Sequence, residues 1–472
     1  MKQSTTRGRS RTFVAITLVW MLAAIYALRR LHLSKIERAS ESASENGGHG
    51  YNYQPPTNPP GFQSRYGKQH VHLLIPANHA KARMCRTMMS ALVNDYPSPT
   101  IINWEREEGD PSMNGYDITT GKNWGMLKYL RNLPPQADQD LVIMVDAFDS
   151  IFQLPLEVAL QRYEAVNNQA RARLVQQHGE EQVLKLGLNQ TVIMGAEKYC
   201  WPLDHRHPAC WAVPPSVIPE NAYGEGTDKS TKKNRPRWLN SGTVMGPVGD
   251  LRELYEWAHV LWMAYDTDDG DQDYFSNIYG RQELSRQKQR GNKEWTFGFG
   301  EHFPEQKLIW PHLETRHTDR HLGLDLTSTL FQPLNAAVDD VSPVVHGDVV
   351  AVEAKDREHG TAVVYHGPFP FPDDLLRAPM PNGASGDGAT KTTWRDVQLF
   401  TNFHARSIPA ILHYNGNVKP ELDQAWPLQW WTGRGREILR NRMGDAGLEF
   451  ATDANKTVQW ADICEEFEDK LM

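Results

Sequence analysis

The chain has 472 residues, with 50 Lys and Arg against 58 Asp and Glu, a formal charge of −8 and a sequence pI near 6.1. That length allows a sizeable core and two or three typical domains. The acids are spread out and no polybasic face follows the first forty residues, which speaks against a nucleic-acid partner.

The N-terminus differs from the rest. Lys2, Arg7, Arg9 and Arg11 precede an apolar stretch from Phe13 to Leu28, closed by Arg29 and Arg30. Its 16 residues fall short of the roughly 20 that cross a bilayer. Leu31 and Leu33 extend it if the two arginines snorkel. A cleaved signal peptide competes, although Leu28-Arg29-Arg30 is a poor cleavage context. The favoured expectation is a cytosolic tail at 1–12, a signal-anchor transmembrane helix at 13–30 and a flexible stem at 31–67. The stem is rich in Ser, Glu, Gly, Asn and Pro and cannot bury a core. This layout predicts a single-pass type II protein of the Golgi or endoplasmic reticulum membrane. Its large domain, 68–440, and a C-terminal extension, 441–472, would lie in the lumen.

The four cysteines are Cys85, Cys200, Cys210 and Cys464. Cys200 and Cys210 flank a Pro-containing loop and can pair in an oxidising lumen, with buried free thiols as the alternative. No CxxC pair or Cys/His spacing points to zinc. Asn189-Gln190-Thr191 and Asn455-Lys456-Thr457 are glycosylation sequons, which agree with a lumenal domain.

In chain order, His70–Pro76 reads as a buried strand, Lys81–Leu92 as a helix and Thr100–Trp104 as a second strand. Gly121–Leu133 has helical spacing, ended by Pro134-Pro135. The run Leu141-Val142-Ile143-Met144-Val145 follows and ends in Asp146 and Asp149. Continuous apolar runs of this length suit strands buried on both faces, and open α/β sheets bind ligands beyond the carboxyl ends of their strands. Two hard oxygen donors there suit Mg²⁺ or Mn²⁺; a strand followed by an acidic turn is the plainer reading. Leu156–His178 is a long helix, Thr191–Gly195 a strand and Trp238–Gly246 another. In the last, Gly242 reads as a close backbone approach or a β-bulge. Leu251–Tyr265 is an amphipathic helix. Strands alternating with helices predict an α/β fold with a mainly parallel sheet.

Asp266–Asp273 is a dense acid cluster without the Glu that closes an EF-hand loop; it reads as a solvated loop that can also supply a general base. His312, His317 and His321 read as loop residues rather than a metal site. Met380–Thr390 reads as a flexible insertion, bounded at 380–392. Ile408–Leu412 is a short apolar run ending in His413 and the turn Asn415-Gly416-Asn417. A His at such a strand end can complete a metal site.

Six stretches in register resemble the glycosyltransferase domain of animal procollagen lysyl hydroxylases and, more distantly, the collagen galactosyltransferases. They are Val145–Asp149, Ala196–Pro202, Leu239–Gly242, Asp271–Phe275, Leu324-Asp325 with Phe331-Gln332, and His413–Asn417. The resemblance runs from about Val71 to Trp431 with gaps. It implies a GT-A type nucleotide-sugar-binding fold, with Mn²⁺ (or Mg²⁺) held by Asp146, Asp149 and His413. It places Phe148 on the uracil ring, Asn240, Ser241 and Gly242 at the sugar, and Asp271 or Asp273 toward the acceptor as catalytic base. Lys122 falls near a phosphate-contacting position, where Asn123 fits about as well. Val345-His346-Gly347 and Tyr365-His366-Gly367 compete with His413 as the family's His-Gly element. No counterpart of the hydroxylase part of those enzymes, and no hydroxylation, is expected.

The expected function is therefore transfer of a hexose, galactose or glucose, from a UDP-sugar to a protein or glycan hydroxyl. The alternative is a membrane-tethered, non-catalytic scaffold that keeps the fold. Trp201, Trp211, Trp238, Trp426, Trp430 and Trp431 are candidate sugar platforms, with core packing as the role expected for most.

Overall fold

The computed structural model describes residues 70–117, 119–201, 207–264, 270–290, 319–381, 392–443 and 448–471. The expected anchor at 13–30, the stem, His312, His317 and nearly all of the 380–392 insertion lie outside them. No helix among the described residues is long and apolar enough to cross a membrane.

Strands β1 (Val71–Pro76), β2 (Thr100–Ile102) and β3 (Leu141–Val145) are the three apolar runs read from the sequence. All five residues of β3 are buried, as a strand covered on both faces requires. Helices α1 (Ala82–Val93) and α2 (Gly121–Asn132) cross over between them. Both begin and end within a residue of the positions expected from periodicity. β2 stops two residues early because Asn103 turns to φ 63°. After β4 (Ser150–Phe152) comes α3 (Leu156–His178), then β5 (Val192–Glu197) and β6 (Trp238–Pro247). α4 (Val248–Ala264) and α5 (Asp271–Gln289) lead to β7 (Leu322–Asp325) and β8 (Phe331–Pro333).

Among the described residues the central sheet has six strands in the order β2-β1-β3-β6-β5-β7. β1 pairs in parallel with β2 and β3, and β5 with β7. β6 alone runs against its neighbours. The molecule is thus mixed α/β with a mainly parallel sheet. The apolar content of β6 is the same whichever way it runs, so its direction is not readable from composition.

The sheet places two segments that the sequence left ambiguous. Pairing of β5 with β6 jumps from Met194↔Val244 to Gly195↔Asn240, so Ser241, Gly242 and Thr243 bulge from that ladder. Of the expected acidic loop, residues 266–269 lie outside the described residues, and Asp271 and Asp273 form the first turn of α5, after Gly270 at φ 80°. Both are buried. Carboxylates there meet the positive end of the helix dipole, which a reading by charge density alone overlooks.

β9 (Val341–Val345) and β10 (Gln398–Asn402) pair as an antiparallel ribbon, and a three-stranded sheet joins β4, β8 and β11 (Ile411–His413) in the order β4-β11-β8. Of the expected tryptophan platforms, Trp211, Trp426 and Trp431 are buried in the core.

The C-terminal segment packs back onto the sheet edge. Its hairpin of β12 (Glu449–Ala451) and β13 (Thr457–Gln459) carries Asn455 exposed at the tip, whereas Asn189 is half-buried. Cys200 pairs with Cys210, and Cys85 on α1 pairs with Cys464, a link across 379 residues that sequence spacing did not indicate. A bond closing so long a loop removes much denatured-state entropy. Replacing Cys464 by Ser should lower unfolding stability by about 4 kcal/mol, read from denaturant titration of both proteins. An unchanged midpoint would show that packing alone holds the segment.

Candidate metal centre

Three chain segments meet at the carboxyl end of β3. Asp146 follows that strand, and its N–H donates to the Gly242 carbonyl at 2.8 Å. Asp149 precedes β4, and its carbonyl accepts from the Tyr414 N–H at 2.7 Å. His413 ends β11 directly opposite Ser150. This register brings a histidine 264 positions away against the second acid.

The ligand atoms of Asp146, Asp149 and His413 lie within 4.8 Å of one another. His413 Nε2 is 3.5 Å from Asp146 Oδ2 and 3.3 Å from Asp149 Oδ1. Asp149 Oδ1 and His413 Nε2 are buried, face each other, and make no well-formed hydrogen bond among the described residues. Orphaned buried polar atoms are rare and call for an explanation, which a bound cation supplies. Space for one is kept by Gly242. A Cβ there would meet His413 Cε1 at 2.1 Å, His413 Nε2 at 2.6 Å and Asp146 Oδ2 at 2.7 Å. Two carboxylates and an imidazole suit a divalent ion, and this group can bind one.

The histidine is oriented from behind. Its Nδ1 donates to Asn240 Oδ1 at 2.9 Å, so the neutral ring carries its proton on Nδ1 and turns the Nε2 lone pair to the acids. Asn240 Nδ2 in turn donates to Gln272 Oε1 at 3.2 Å and Glu197 Oε2 at 3.4 Å. Glu197 also accepts from Gln272 Nε2 at 2.6 Å and Asn415 Nδ2 at 3.2 Å. Burial pushes the Glu197 carboxyl up to about 8 against these three donors.

The carboxylates carry ammonium partners. Lys122, at the start of α2, lies 2.8 Å from Asp146 Oδ1 and 3.0 Å from Asp271 Oδ2. Burial works against its charge, but Asp146 and Asp271 outweigh burial and raise it above the ordinary lysine range. Burial likewise opposes ionisation of Asp146, and Lys122 and His413 reverse this and hold it well below the usual carboxylate range. Lys419 Nζ lies 2.8 Å from Asp149 Oδ2. Ser241 Oγ donates to Asp271 Oδ2 at 2.7 Å.

Lys122, Asp146, Phe148, Asp149, Asp271 and Lys419 border one cavity of about 380 Å³. Asn240 and Gly242 underlie His413. Asp273 is turned from the cavity, 3.7 Å from His207 Nε2. Of the competing residues, Asn123 is buried on α2, His346 bonds Thr401 Oγ1 at 2.9 Å beside Phe369 and Phe371, and His366 is exposed. Neither of these two histidines belongs to the metal group. His321 faces Asp250 at 3.8 Å. Sequence reasoning assigned no role to Glu197 or Lys419. The available signals were a Glu-Lys pair ending an apolar strand and a lysine six residues after His413.

No protein-family model matches the chain, and no curated protein matches it.

Burial favours a neutral His413, but Asp149 and Asp146 outweigh it and push the ring up to about 9. A ligating Nε2 must be unprotonated. Below that value cation uptake therefore expels a proton, and affinity rises with pH. Mn²⁺ affinity should climb from neutral pH toward 9 and then level off, with about one proton released per ion. Calorimetry in buffers of different protonation enthalpy reads both, and a pH-independent affinity would contradict the assignment. Gly242→Ala should weaken Mn²⁺ uptake by at least about tenfold. Far-UV circular dichroism should be unchanged, because the added methyl meets the cluster rather than the core.

Proposed function

We propose that the chain is a metal-dependent hexosyltransferase of GT-A type that takes its sugar from a UDP-hexose. The observation that carries this reading is the Asp146-Asp149-His413 group at the strand end, opening on a cavity that also presents Lys122 and Lys419. Diphosphates need positive charge of this kind. The resemblance to the glycosyltransferase domain of procollagen lysyl hydroxylases supports the same reading through the same residues.

Asp146, Asp149 and His413 would hold Mn²⁺, which when bound neutralises charge on the departing diphosphate. Phe148 borders the cavity between the two acids and offers a ring face to uracil. Lys122 and Lys419 add charge at the phosphates. The acceptor oxygen forms a bond to the anomeric carbon as the bond to the UDP oxygen breaks. The acceptor proton passes to Asp271, the one of the two sequence-predicted acids that borders the cavity. The two disulfides suit an oxidising lumen, and exposed Asn455 suits glycosylation there.

Calorimetric titration of the detergent-solubilised full chain with UDP tests the reading. UDP should bind with Mn²⁺ present and not bind measurably without it, and Asp149→Ala should abolish the metal-dependent part. A folded protein that ignores UDP would leave the scaffold alternative.

A further inference from the structure

We infer that Lys122 and Lys419 are exchangeable counter-ions of the carboxylate cluster, so that a divalent cation and a nucleoside diphosphate bind this site cooperatively and each binds weakly alone. The inference rests on the nucleotide-sugar reading and adds a binding order to it.

The cluster holds three carboxylates, Asp146, Asp149 and Asp271, around one cavity. Each already contacts an ammonium group, at 2.8 Å, 2.8 Å and 3.0 Å. The contacts are made at the metal-binding acids themselves. Lys122 reaches Asp146 through Oδ1 while His413 faces Oδ2, and Lys419 reaches Asp149 through Oδ2 while His413 faces Oδ1. A cation drawing on Asp146 and Asp149 competes with both lysines for the same negative charge.

The two lysines differ in what remains to them. Lys122 keeps Asp271 when Asp146 turns to a cation. Lys419 is half-exposed on the turn after β11, while its partner Asp149 is 2 % exposed. It is the group set free. Its ammonium then stands beside a cation in a cavity with surplus positive charge. Binding a cation alone therefore works against itself. A nucleoside diphosphate supplies the missing negative charge and gives the released lysine a partner. By linkage, whatever factor the diphosphate adds to cation affinity, the cation adds to diphosphate affinity.

The test is Mn²⁺ binding by the full chain in detergent, followed by the electron paramagnetic resonance signal of free Mn²⁺, with and without UDP. In the wild-type protein UDP should tighten Mn²⁺ uptake by about tenfold or more. Lys419→Met should bind Mn²⁺ alone about two- to fivefold more tightly, the scale of a partly exposed ion pair, and UDP should then add less. Lys419→Arg keeps the charge and should match wild type in both measurements. Unchanged or weaker Mn²⁺ uptake by Lys419→Met without UDP, while the wild-type protein binds UDP with Mn²⁺, overturns the counter-ion role and leaves the nucleotide reading standing. Mn²⁺ uptake without any UDP binding overturns the nucleotide reading, and the cooperativity with it.

Discussion

Three carboxylates crowd one end of the sheet, and their mutual repulsion has to be met within a few ångströms. Two like charges about 4 Å apart at a protein surface repel by about 4 kcal/mol. The chain answers with Lys122 between Asp146 and Asp271, Lys419 on Asp149, and His413 between Asp146 and Asp149. Lys122 comes from α2, His413 from β11 and Lys419 from the turn after β11. The cluster thus ties the start of α2, the end of β3, the end of β11 and the start of α5 into one electrostatic unit. The ion pairs that stabilise the cluster are the ones a cation competes with.

Backbone pairing holds these charges in place. β3 and β6 set Gly242 beside Asp146, and only a residue without Cβ leaves room there for the His413 ring. The bulge at Ser241–Thr243 lets β6 satisfy β3 and β5 at once while turning Ser241 to Asp271 and Asn240 to His413. Behind the ring, Asn240, Gln272, Glu197 and Asn415 form a buried amide–carboxyl network. Such networks fix orientation when every member is satisfied. Lys198 extends the arrangement by a buried ion pair to Asp340 at 2.8 Å, anchoring the chain just past Glu197.

The far wall of the cavity depends on the C-terminal segment. Asn103, which lines the cavity, donates its backbone N–H to Asp453 Oδ1 at 3.0 Å, and the Asp453 N–H bonds the Ile101 carbonyl at 3.0 Å. The Cys85–Cys464 bond holds that segment against α1. Residues beyond the sheet therefore shape the space in which a ligand would lie.

By itself the sequence determined the local elements and the chemistry of their ends. The short, largely apolar runs at Val71–Ile75 and Leu141–Val145, bounded by turn signals, suit strands covered on both faces, and the unbroken length of Leu156–His178 suits a helix. The paired acids after β3 and the histidine after Leu412 were legible as metal-ligand types because strand ends expose such groups. Tertiary structure decided the rest, because it depends on pairing between distant segments. The antiparallel course of β6, the conversion of an acidic stretch into the first turn of α5, the Cys85–Cys464 link and the roles of Glu197 and Lys419 leave no periodic trace in the chain. The choice of His413 over His346 and His366 is of the same kind. All three follow similar local sequence, and only the register of β11 against β4 brings one of them within 3.3 Å of Asp149.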